Sequence, residues 1–497
     1  MWQRPPAREP SLLGPGRWRF LNEVKDLERI GWDDPAVDLL WRYNQHYFDD
    51  LNAIGADQRR DWHDALLTQW QVENPPGQGT GWAPYPTSLR IVNLIKAGFA
   101  GLPLEASHLH SLAVQARWLS QKLEWHLLGN HLFANAKALV LAGLFFDGDE
   151  AAGWLTMGLR ILRHELPEQF LGDGAQFERT PMYQALAIED VLDLLNGIHC
   201  LAPSDSPARE LESELGKLAT LGLDWLAHMQ LADGSLSHFN DSADGIAPSY
   251  DALCRYAGSL GVALPAPPMQ GQRLLQPSGY VSWRRGNALL IADVAPIGPD
   301  YLPGHAHADT LSFELCLGSR PLIVNRGTSV YGTGTRRQIE RGTAAHSTLQ
   351  IDDHNSSEVW SGFRVGRRAR VQLLAADGRT LEARHNGFTH LRGRPLHRRR
   401  WVLDEGVLEV TDWHDGPAEV RAVARYHLAP GLRLHRQGVA WQVLDDAGSV
   451  CAVAHVELGE AAVESWEHAQ RFGLLTPAQT LAVHLGRNRQ ARVRWTW

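Results

Sequence analysis

The hydrophobic residues of this chain change their spacing near its middle. From about residue 35 to 262 they recur at helical intervals, as in LHSLAVQARWLSQKLEWHLL and ALAIEDVLDLLNGIHCL. After residue 280 they fall in alternating runs separated by tight turns, as in YVSWRRGNALLIADV and RRWVLDEGVLEVTDW. Side chains that share one face recur at different intervals in a helix and in a strand. The pattern therefore predicts a helical half followed by a large antiparallel sheet assembly.

The segment that separates the two halves is ALPAPPMQGQRLLQPSGY, residues 263–280, which is rich in Pro, Gln and Gly. We place the domain boundary there, with a helical domain over residues 1–265 and an antiparallel β domain over residues 266–497. A chain of 497 residues is long enough for two hydrophobic cores.

Charge and cysteine content exclude several classes of protein. The net charge of −8 gives no overall attraction for nucleic acid or for an anionic membrane, so an acidic substrate needs a local basic patch. The four cysteines have no CxxC spacing, which indicates neither a thiolate zinc site nor a disulfide framework. No apolar run is long enough to span a bilayer, and the N-terminal stretch lacks the pattern of a signal peptide.

The stretch GHAHADTLSF carries two histidines and an aspartate at alternate positions, His305, His307 and Asp309. In extended backbone the three side chains would share one face. One imidazole could then ligate a metal while the other acts as a base, and Asp309 would orient one of them. Hydrogen-bonded structural histidines are the alternative.

Two further polar residues stand beside apolar, strand-like sequence. Asn325 lies in LIVNRGTSVYG, and His346 lies in RGTAAHSTLQIDDH. A buried amide or imidazole must be satisfied by hydrogen bonds or by a ligand. The closeness of these stretches to GHAHADTLSF along the chain therefore predicts one polar site.

The helical half offers polar residues at two helix starts. In LLGNHLFANAKALVLAGLFF, Asn130 and His131 follow Gly129, and a plain N-cap is the alternative for Asn130. In QFERTPMYQALAIEDVLDLL, Pro181 suits the first helical position, and Tyr183 lies in the first turn. A phenol there can carry a proton, because the helix dipole favours phenolate, or it can be a residue at the edge of the core.

Aromatic and basic residues are mixed in GWAPYPTSLRIVN, residues 81–93, as in the rim of a sugar-binding site. Anchoring of the core is the alternative for these aromatics. We predict that four residues of this stretch and of the two polar stretches contact substrate, namely Trp82, Arg90, Tyr331 and Arg341.

The order GNHL, TPMY, GHAHADTLSF, LIVNRGTS and TAAHST resembles the heparinase II/III-like polysaccharide lyases, which include alginate and heparin lyases. The stretches LWRYNQHYFDDL, PYPTSLRIVN and NSSEVWSGFRVGRRAR resemble the branch associated with bacterial capsule and exopolysaccharide gene clusters. The resemblance implies a multidomain fold, an incomplete (α/α) toroid of helix pairs followed by an antiparallel β-sandwich.

The resemblance also implies an activity, the β-elimination of a uronic-acid-containing polysaccharide. Asn130 and His131 would hold the uronate carboxylate, and Tyr183 would be the base, the acid or both. His305 would be the other proton carrier. Neutralising the carboxylate stabilises the charge that develops when the C5 proton leaves.

The family's metal-ligand positions, usually zinc, fall on His307, Asn325 and His346, which implies one structural divalent metal. Many relatives carry Asp where this chain has Asn325. An amide oxygen is a weaker ligand than a carboxylate, so the site would bind metal less tightly, prefer another ion or be empty. If residues 309–328 form a simple hairpin, Asn325 would also lie roughly 20 Å from His307.

The expected partner is an anionic polysaccharide, and family context favours the periplasm or the cell surface. One alternative is a glycoside hydrolase that uses paired carboxylates, such as Glu178 with Asp173 or Asp241. Another is a noncatalytic glycan-binding protein of a polysaccharide assembly system. A binding module, however, has no need of proton carriers.

Overall fold

The computed structural model describes residues 1–497, which form two compact units. The helical unit contains Met1–Phe170, Ala185–Leu223 and Asp251–Pro265. The sheet unit contains Leu171–Gln184, Asp224–Tyr250 and Ala266–Trp497. Two segments from the first half of the chain therefore pack with the sheet unit, and the single boundary near residue 265 stays a prediction.

Ten α-helices precede residue 260, in agreement with the helical periodicity of this half. A small sheet of three short strands, which the sequence did not signal, comes first: β1 (Leu12–Gly14), β2 (Arg17–Phe20) and β3 (Glu23–Asp26). The helices are α1 (Leu27–Ile30), α2 (Leu39–Tyr47), α3 (Arg60–Glu73), α4 (Pro84–Phe99), α5 (Ala106–Leu119), α6 (Gly129–Phe145), α7 (Asp149–Gln169), α8 (Pro181–Leu201), α9 (Glu212–Met229) and α10 (Tyr250–Ser259). None is both long and apolar enough to cross a membrane.

Helices α6 and α7 pack closely because glycines lie where the two backbones approach. A Cβ atom on Gly143 would lie 2.6 Å from the backbone nitrogen of Leu155. A Cβ atom on Gly158 would lie 2.7 Å from Val140 Cγ2 and 2.9 Å from the carbonyl oxygen of Ala136. Neither backbone can move aside without shifting its whole helix, so these glycines set the spacing of the pair.

We expect Gly158→Ala to lower the melting temperature, although alanine is the better helix former. The added methyl group would overpack the contact between α6 and α7, which costs about 1–3 kcal/mol. The matched control is Gly153→Ala on the same helix, where an added Cβ meets nothing within 4 Å. The control should be neutral or stabilising in the same thermal unfolding assay, and an equal effect of both substitutions would contradict the packing argument.

The second half of the chain is built from antiparallel strands, as predicted, with one helix of two turns, α11 (Thr335–Arg341). The strands are β4 (Gly271–Leu275), β5 (Tyr280–Arg285), β6 (Ala288–Asp293), β7 (Phe313–Leu317), β8 (Arg320–Ile323), β9 (Leu349–Ile351), β10 (Val359–Trp360), β11 (Arg364–Val365), β12 (Val371–Ala376), β13 (Thr380–His385), β14 (His397–Asp404), β15 (Val407–His414), β16 (Ala422–His427), β17 (Arg433–Gln437), β18 (Ala440–Leu444), β19 (Val450–Leu458), β20 (Glu460–Arg471), β21 (Leu474–His484) and β22 (Gln490–Thr496).

These strands form three main sheets and one short hairpin. The largest sheet has the order β12-β13-β14-β15-β22-β19-β18-β17, the second β20-β21-β16-β9 and the third β4-β5-β6-β7-β8, while β10 pairs with β11 alone. The turn Asp404–Val407 joins β14 to β15 at the tight reversal that the sequence indicated. The architecture is therefore helices followed by antiparallel sheets, as predicted.

The sheets share one apolar core, in which large aromatic rings make contact from sheet to sheet. Phe313 of the third sheet lies 6.3 Å from Trp401 of the largest sheet and 6.2 Å from Tyr426 of the second. Tyr426 in turn lies 5.6 Å from Trp495 of the largest sheet, measured between ring centroids. All four residues are fully buried, so the faces of different sheets are held together as in a sandwich.

Candidate active site

The loop between β6 and β7 places His305 and His307 against one carboxylate. His305 Nδ1 lies 2.9 Å from Asp241 Oδ2, and His307 Nε2 lies 2.8 Å from Asp241 Oδ1. Residues 304–312 are not a strand, in contrast to the extended backbone predicted for this stretch. The two histidines nevertheless converge, because the backbone N–H of Asp241 also donates to the carbonyl oxygen of His305.

Asp241 is buried and ionised. The guanidinium of Arg337 contacts both of its oxygens, and Thr328 Oγ1 lies 3.4 Å from Oδ1. Burial by itself raises the pKa of this carboxyl, but Arg337 and the bonds from His305 and His307 outweigh it and hold the pKa well below its usual range. The carboxylate therefore accepts hydrogen bonds from four groups at once.

This arrangement fixes the tautomer of His305. An ionised carboxylate only accepts hydrogen bonds, so Nδ1 of a neutral His305 carries the proton and Nε2 carries the lone pair. Nε2 lies 3.6 Å from Glu178 Oε2, and the side chain of His305 is 14% exposed. The imidazole thus presents a proton-accepting atom from an oriented ring.

Tyr183 lies beside His305, as the proposed pairing of proton carriers requires. It belongs to the first turn of α8, and its ring centroid lies 4.1 Å from that of His305. Its hydroxyl oxygen lies 3.0 Å from the hydroxyl oxygen of Tyr331. Burial raises the pKa of Tyr331 well above its usual value, so Tyr331 remains a neutral phenol. Three of the residues predicted from sequence therefore make contact here.

Asn130 and His131 lie in the first turn of α6, in the helical unit. The residue before this helix is Leu128, so Asn130 is not the N-cap. His131 Nδ1 lies 3.1 Å from Glu124 Oε1, and the His131 ring lies 4.5 Å from that of Tyr85. The side chain of His131 is 30% exposed, and the buried Glu124 orients it as Asp241 orients His305.

Two residues that we predicted to contact substrate, Trp82 and Arg90, belong instead to the interior of the helical unit. Arg90 is fully buried, donates to Gln115 and to the carbonyl oxygen of His46, and lies 3.9 Å from the ring of Trp70. Trp82 is 4% exposed, and its indole N–H donates to a backbone carbonyl. The sequence pattern of aromatics with arginine marked a core here, not a rim.

The predicted substrate contact Arg341 is also a structural residue. Its buried guanidinium donates to the carbonyl oxygens of Ala306, Trp360, Ser361, Gly362 and Arg364. A guanidinium whose donors are all directed at backbone carbonyls has none left for a ligand. Tyr331, the fourth predicted contact, is partly exposed and stays a prediction.

Asp309 does not orient either histidine, in contrast to the prediction. Its side chain accepts from the backbone N–H of Asn240 at 3.2 Å, and burial raises its pKa to about 7. Asn240 Oδ1 accepts in turn from the backbone N–H of His307 at 3.0 Å. Asp309 therefore supports the loop through Asn240, while Asp241 takes the orienting role.

Two of the three predicted metal ligands, His307 and His346, lie side by side. The ring centroids of His307 and His346 are 5.3 Å apart, and His307 Nδ1 and both ring nitrogens of His346 make no hydrogen bond. Asn325 accepts from the backbone N–H of Ser347 at 3.1 Å, which leaves its amide nitrogen unpaired. An amide N–H₂ group donates hydrogen bonds and does not ligate a cation.

The donor set therefore does not fit a complete zinc site. It offers two neutral imidazoles and no carboxylate or thiolate, whereas structural zinc sites have four ligands. No group of three or more His, Cys, Asp or Glu side chains is placed to hold a metal ion. The zinc site stays a prediction.

The distance of roughly 20 Å that we estimated between Asn325 and His307 assumed that residues 309–328 form a simple hairpin. In the structure β7 begins at Phe313, and Leu311 before it has a φ of 62°. The assumption of continuous strand therefore does not hold.

We expect Asn325→Asp to raise the zinc content per chain after equilibration with dilute zinc and dialysis. The substitution adds an anionic ligand beside two imidazoles, and mass spectrometry of the metal measures the result. Asn287→Asp at an exposed position is the matched control and should change nothing. A wild-type chain that retained one equivalent of zinc would show that the amide already completes the site.

The carboxylates of the hydrolase alternative are engaged elsewhere. Asp173 Oδ2 accepts from the backbone N–H and the hydroxyl of Ser278. Asp241 is held ionised by Arg337 and cannot serve as a general acid near neutral pH. Glu178 lies near His305 without a second carboxylate free to act with it. Both carboxylates that could act with Glu178 are therefore engaged by strong donors, which disfavours the pairing needed for glycoside hydrolysis.

Sequence reasoning missed the residues that organise this site. Asp241 had been considered only as a hydrolase carboxylate, and Arg337 not at all. The polar run SHFNDSAD, between the helical periodicities on either side of it, was a usable signal for Asp241. Arg337 gave none, because arginine on a short helix usually indicates a solvated face.

We expect Asp241→Asn to lower the free energy of unfolding by about 3–5 kcal/mol, because it leaves Arg337 charged, buried and without a counterion. Denaturant titration measures the change. The matched control is Asp404→Asn, whose ion pair with Arg379 is exposed and should contribute less than about 1 kcal/mol. Equal stability of Asp241→Asn and wild type would refute the proposed dependence on this ion pair.

Comparison with known proteins agrees with these observations. The family model described as heparinase II/III N-terminus matches residues 101–253, and the model described as heparinase II/III-like, C-terminal, matches residues 268–496. Fold and family models define the protein as a polysaccharide lyase. The chain belongs to the heparinase II/III-like family.

Individual relatives are distant. FtsZ-localized protein C of Caulobacter vibrioides is 28% identical over 499 residues, which cover 90% of this chain and 80% of the relative. A heparin-sulfate lyase of Pedobacter heparinus is 24% identical over 366 residues, 67% of this chain and 53% of the relative. The crystal structure of a heparinase III matches with a TM-score of 0.72 at 17% identity, over 91% of this chain and 76% of that one. This likeness confirms the predicted toroid and sandwich architecture.

Proposed function

We propose that this protein cleaves a uronic-acid-containing polysaccharide by β-elimination, with Tyr183 and His305 as the proton carriers. The observation that carries the proposal is their contact, 4.1 Å between ring centroids, beside a carboxylate that orients His305. Both residue types transfer protons in enzymes, and neither needs a cofactor to do so.

In the proposed step His305 Nε2 removes the proton at C5 of the uronate. The C4–O bond breaks, a C4–C5 double bond forms, and the hydroxyl of Tyr183 donates its proton to the leaving oxygen. Asp241 stabilises the imidazolium that results, since it accepts from Nδ1 throughout. Tyr331, a neutral phenol 3.0 Å from the Tyr183 hydroxyl oxygen, can donate to that oxygen as its proton leaves.

The proposal gives Asn130 and His131 the task of neutralising the uronate carboxylate. The C5 proton is weakly acidic, and it becomes removable when donors stabilise the charge that spreads onto the carboxylate in the transition state. His131 suits this task as an imidazolium: Glu124 accepts from its Nδ1–H, and the Nε2–H of the protonated ring can donate to the uronate carboxylate. Asn130 and His131 are both partly exposed, so a ligand can reach them.

The substrate class follows from the mechanism and from the relatives. β-Elimination requires a carboxylate next to the proton that is lost, so the polymer contains a uronic acid. Several relatives are named heparin-sulfate lyases, which supports an anionic polymer. The stretches that resemble the capsule and exopolysaccharide branch of the family favour a bacterial exopolysaccharide.

We expect wild-type protein to generate ultraviolet absorbance from the new conjugated double bond when it is incubated with a panel of uronate polysaccharides. Tyr183→Phe and His305→Ala should each lower kcat by about 10²–10⁴-fold, because each removes a proton carrier. The control is Trp413→Ala on β15, which removes a partly exposed aromatic ring that contacts neither proton carrier and should retain activity.

Two outcomes would overturn the proposal. New reducing ends without ultraviolet absorbance would indicate hydrolysis. Binding of a polymer without turnover, unchanged by Tyr183→Phe, would indicate a noncatalytic glycan-binding protein.

A further inference from the structure

The hairpin Val359–Val365 presents an aromatic and basic face that the proposed mechanism does not use. In this hairpin β10 pairs with β11, and Trp360 lies directly opposite Arg364. Residues opposite each other in an antiparallel pair project from the same face, so the indole and the guanidinium are neighbours. Trp360 is 54% exposed and Arg364 is exposed, whereas Val359 on the other face is buried.

The tip of the hairpin brings a third ring to the proton carriers. The ring centroid of Phe363 lies 5.7 Å from that of His305 and 5.1 Å from that of Tyr331. Phe363 is still 42% exposed. An apolar ring that touches two residues of the site and remains open to solvent has a face available to a ligand.

Two buried arginines hold the hairpin in place. Arg337 Nε donates to the carbonyl oxygen of Gly362 at 3.1 Å, and the same guanidinium contacts Asp241. Arg341 donates to the carbonyl oxygens of four hairpin residues. The carboxylate that orients His305 and the backbone that presents Phe363 therefore share one guanidinium. The face is positioned before any ligand arrives, which lowers the entropic cost of binding.

We propose that this hairpin is a sugar-binding subsite for an acidic pyranose next to the linkage that is cleaved. Trp360 and Phe363 pack against the C–H faces of the sugar, and Arg364 binds its carboxylate or sulfate group. Flat aromatic faces suit apolar ring faces, and the guanidinium fork suits planar or tetrahedral anions. This inference rests on the proposed function of Tyr183 and His305.

Binding in the absence of turnover tests the subsite directly. Heparan sulfate and hyaluronan oligosaccharides, the first sulfated and the second not, are titrated calorimetrically into Tyr183→Phe protein. Adding Trp360→Ala or Arg364→Gln should weaken binding about tenfold or more. A loss with Arg364→Gln for both polymers assigns the guanidinium to the carboxylate, and a loss for heparan sulfate alone assigns it to sulfate.

Matched controls separate a local effect from a general one. Trp413→Ala removes an indole flanked by arginines on β15, and Arg433→Gln removes an exposed positive charge on β17; neither should alter binding. Trp360→Phe should restore most of the affinity lost in Trp360→Ala, because it restores an aromatic face. Melting temperatures within a few degrees of the parent's show that the exposed positions do not affect folding.

The outcomes distinguish the subsite from the proposed function. Turnover by the wild type with unchanged binding in Trp360→Ala and Arg364→Gln overturns the subsite and leaves the lyase proposal intact. Affinity lost in these variants, with no wild-type turnover of any polymer in the uronate panel, supports a sugar-binding face on the hairpin but overturns the lyase proposal and the placement next to a cleaved linkage. Failure of the Tyr183→Phe protein to bind either polymer overturns the subsite.

Discussion

The buried ion pair of Asp241 and Arg337 is the interaction on which the site depends. One carboxylate accepts from His305, His307 and both terminal nitrogens of Arg337. The same guanidinium donates to the hairpin at Gly362. Two charges removed from water persist only when their donors and acceptors are satisfied, so this pair constrains every group that touches it. The orientation of the imidazoles depends on this ion pair, and the hairpin is held by Arg337 together with Arg341.

A second buried ion pair supports the same region from within the sandwich. Arg399 of β14 contacts both oxygens of Asp412 on β15, and its remaining nitrogen donates to the carbonyl oxygens of Leu311 and Ser347. These carbonyls lie beside the segments that carry His307 and His346. The pKa of Asp412 is lowered to about 2, because Arg399 and His397 outweigh the effect of burial. Arg399 of the sheet core thus fixes the backbone of both segments at Leu311 and Ser347.

The predictions from sequence succeeded for features that a short stretch of chain determines by itself, such as the type of secondary structure. The spacing of apolar residues predicted helices and then strands, since each element imposes its own period. Tyr183 and His305 were singled out from their motifs, and they make contact. Trp82 and Arg90 were wrongly assigned to substrate binding, because an aromatic residue near an arginine gives the same sequence pattern in a protein core as on the rim of a sugar-binding site. Asp309 was assigned the role of Asp241, because only the nearer carboxylate along the chain was visible.

The sequence by itself determined the order of helices and strands, the position of the turn between β14 and β15, and the residue types available for proton transfer. Only the tertiary structure decided which carboxylate meets His305, because Asp241 is separated from it by 64 positions along the chain. It also decided that Arg341 serves backbone carbonyls and that Trp360 faces solvent. Contacts between distant segments depend on packing, which no local spacing encodes, whereas periodicity follows from the geometry of a single element.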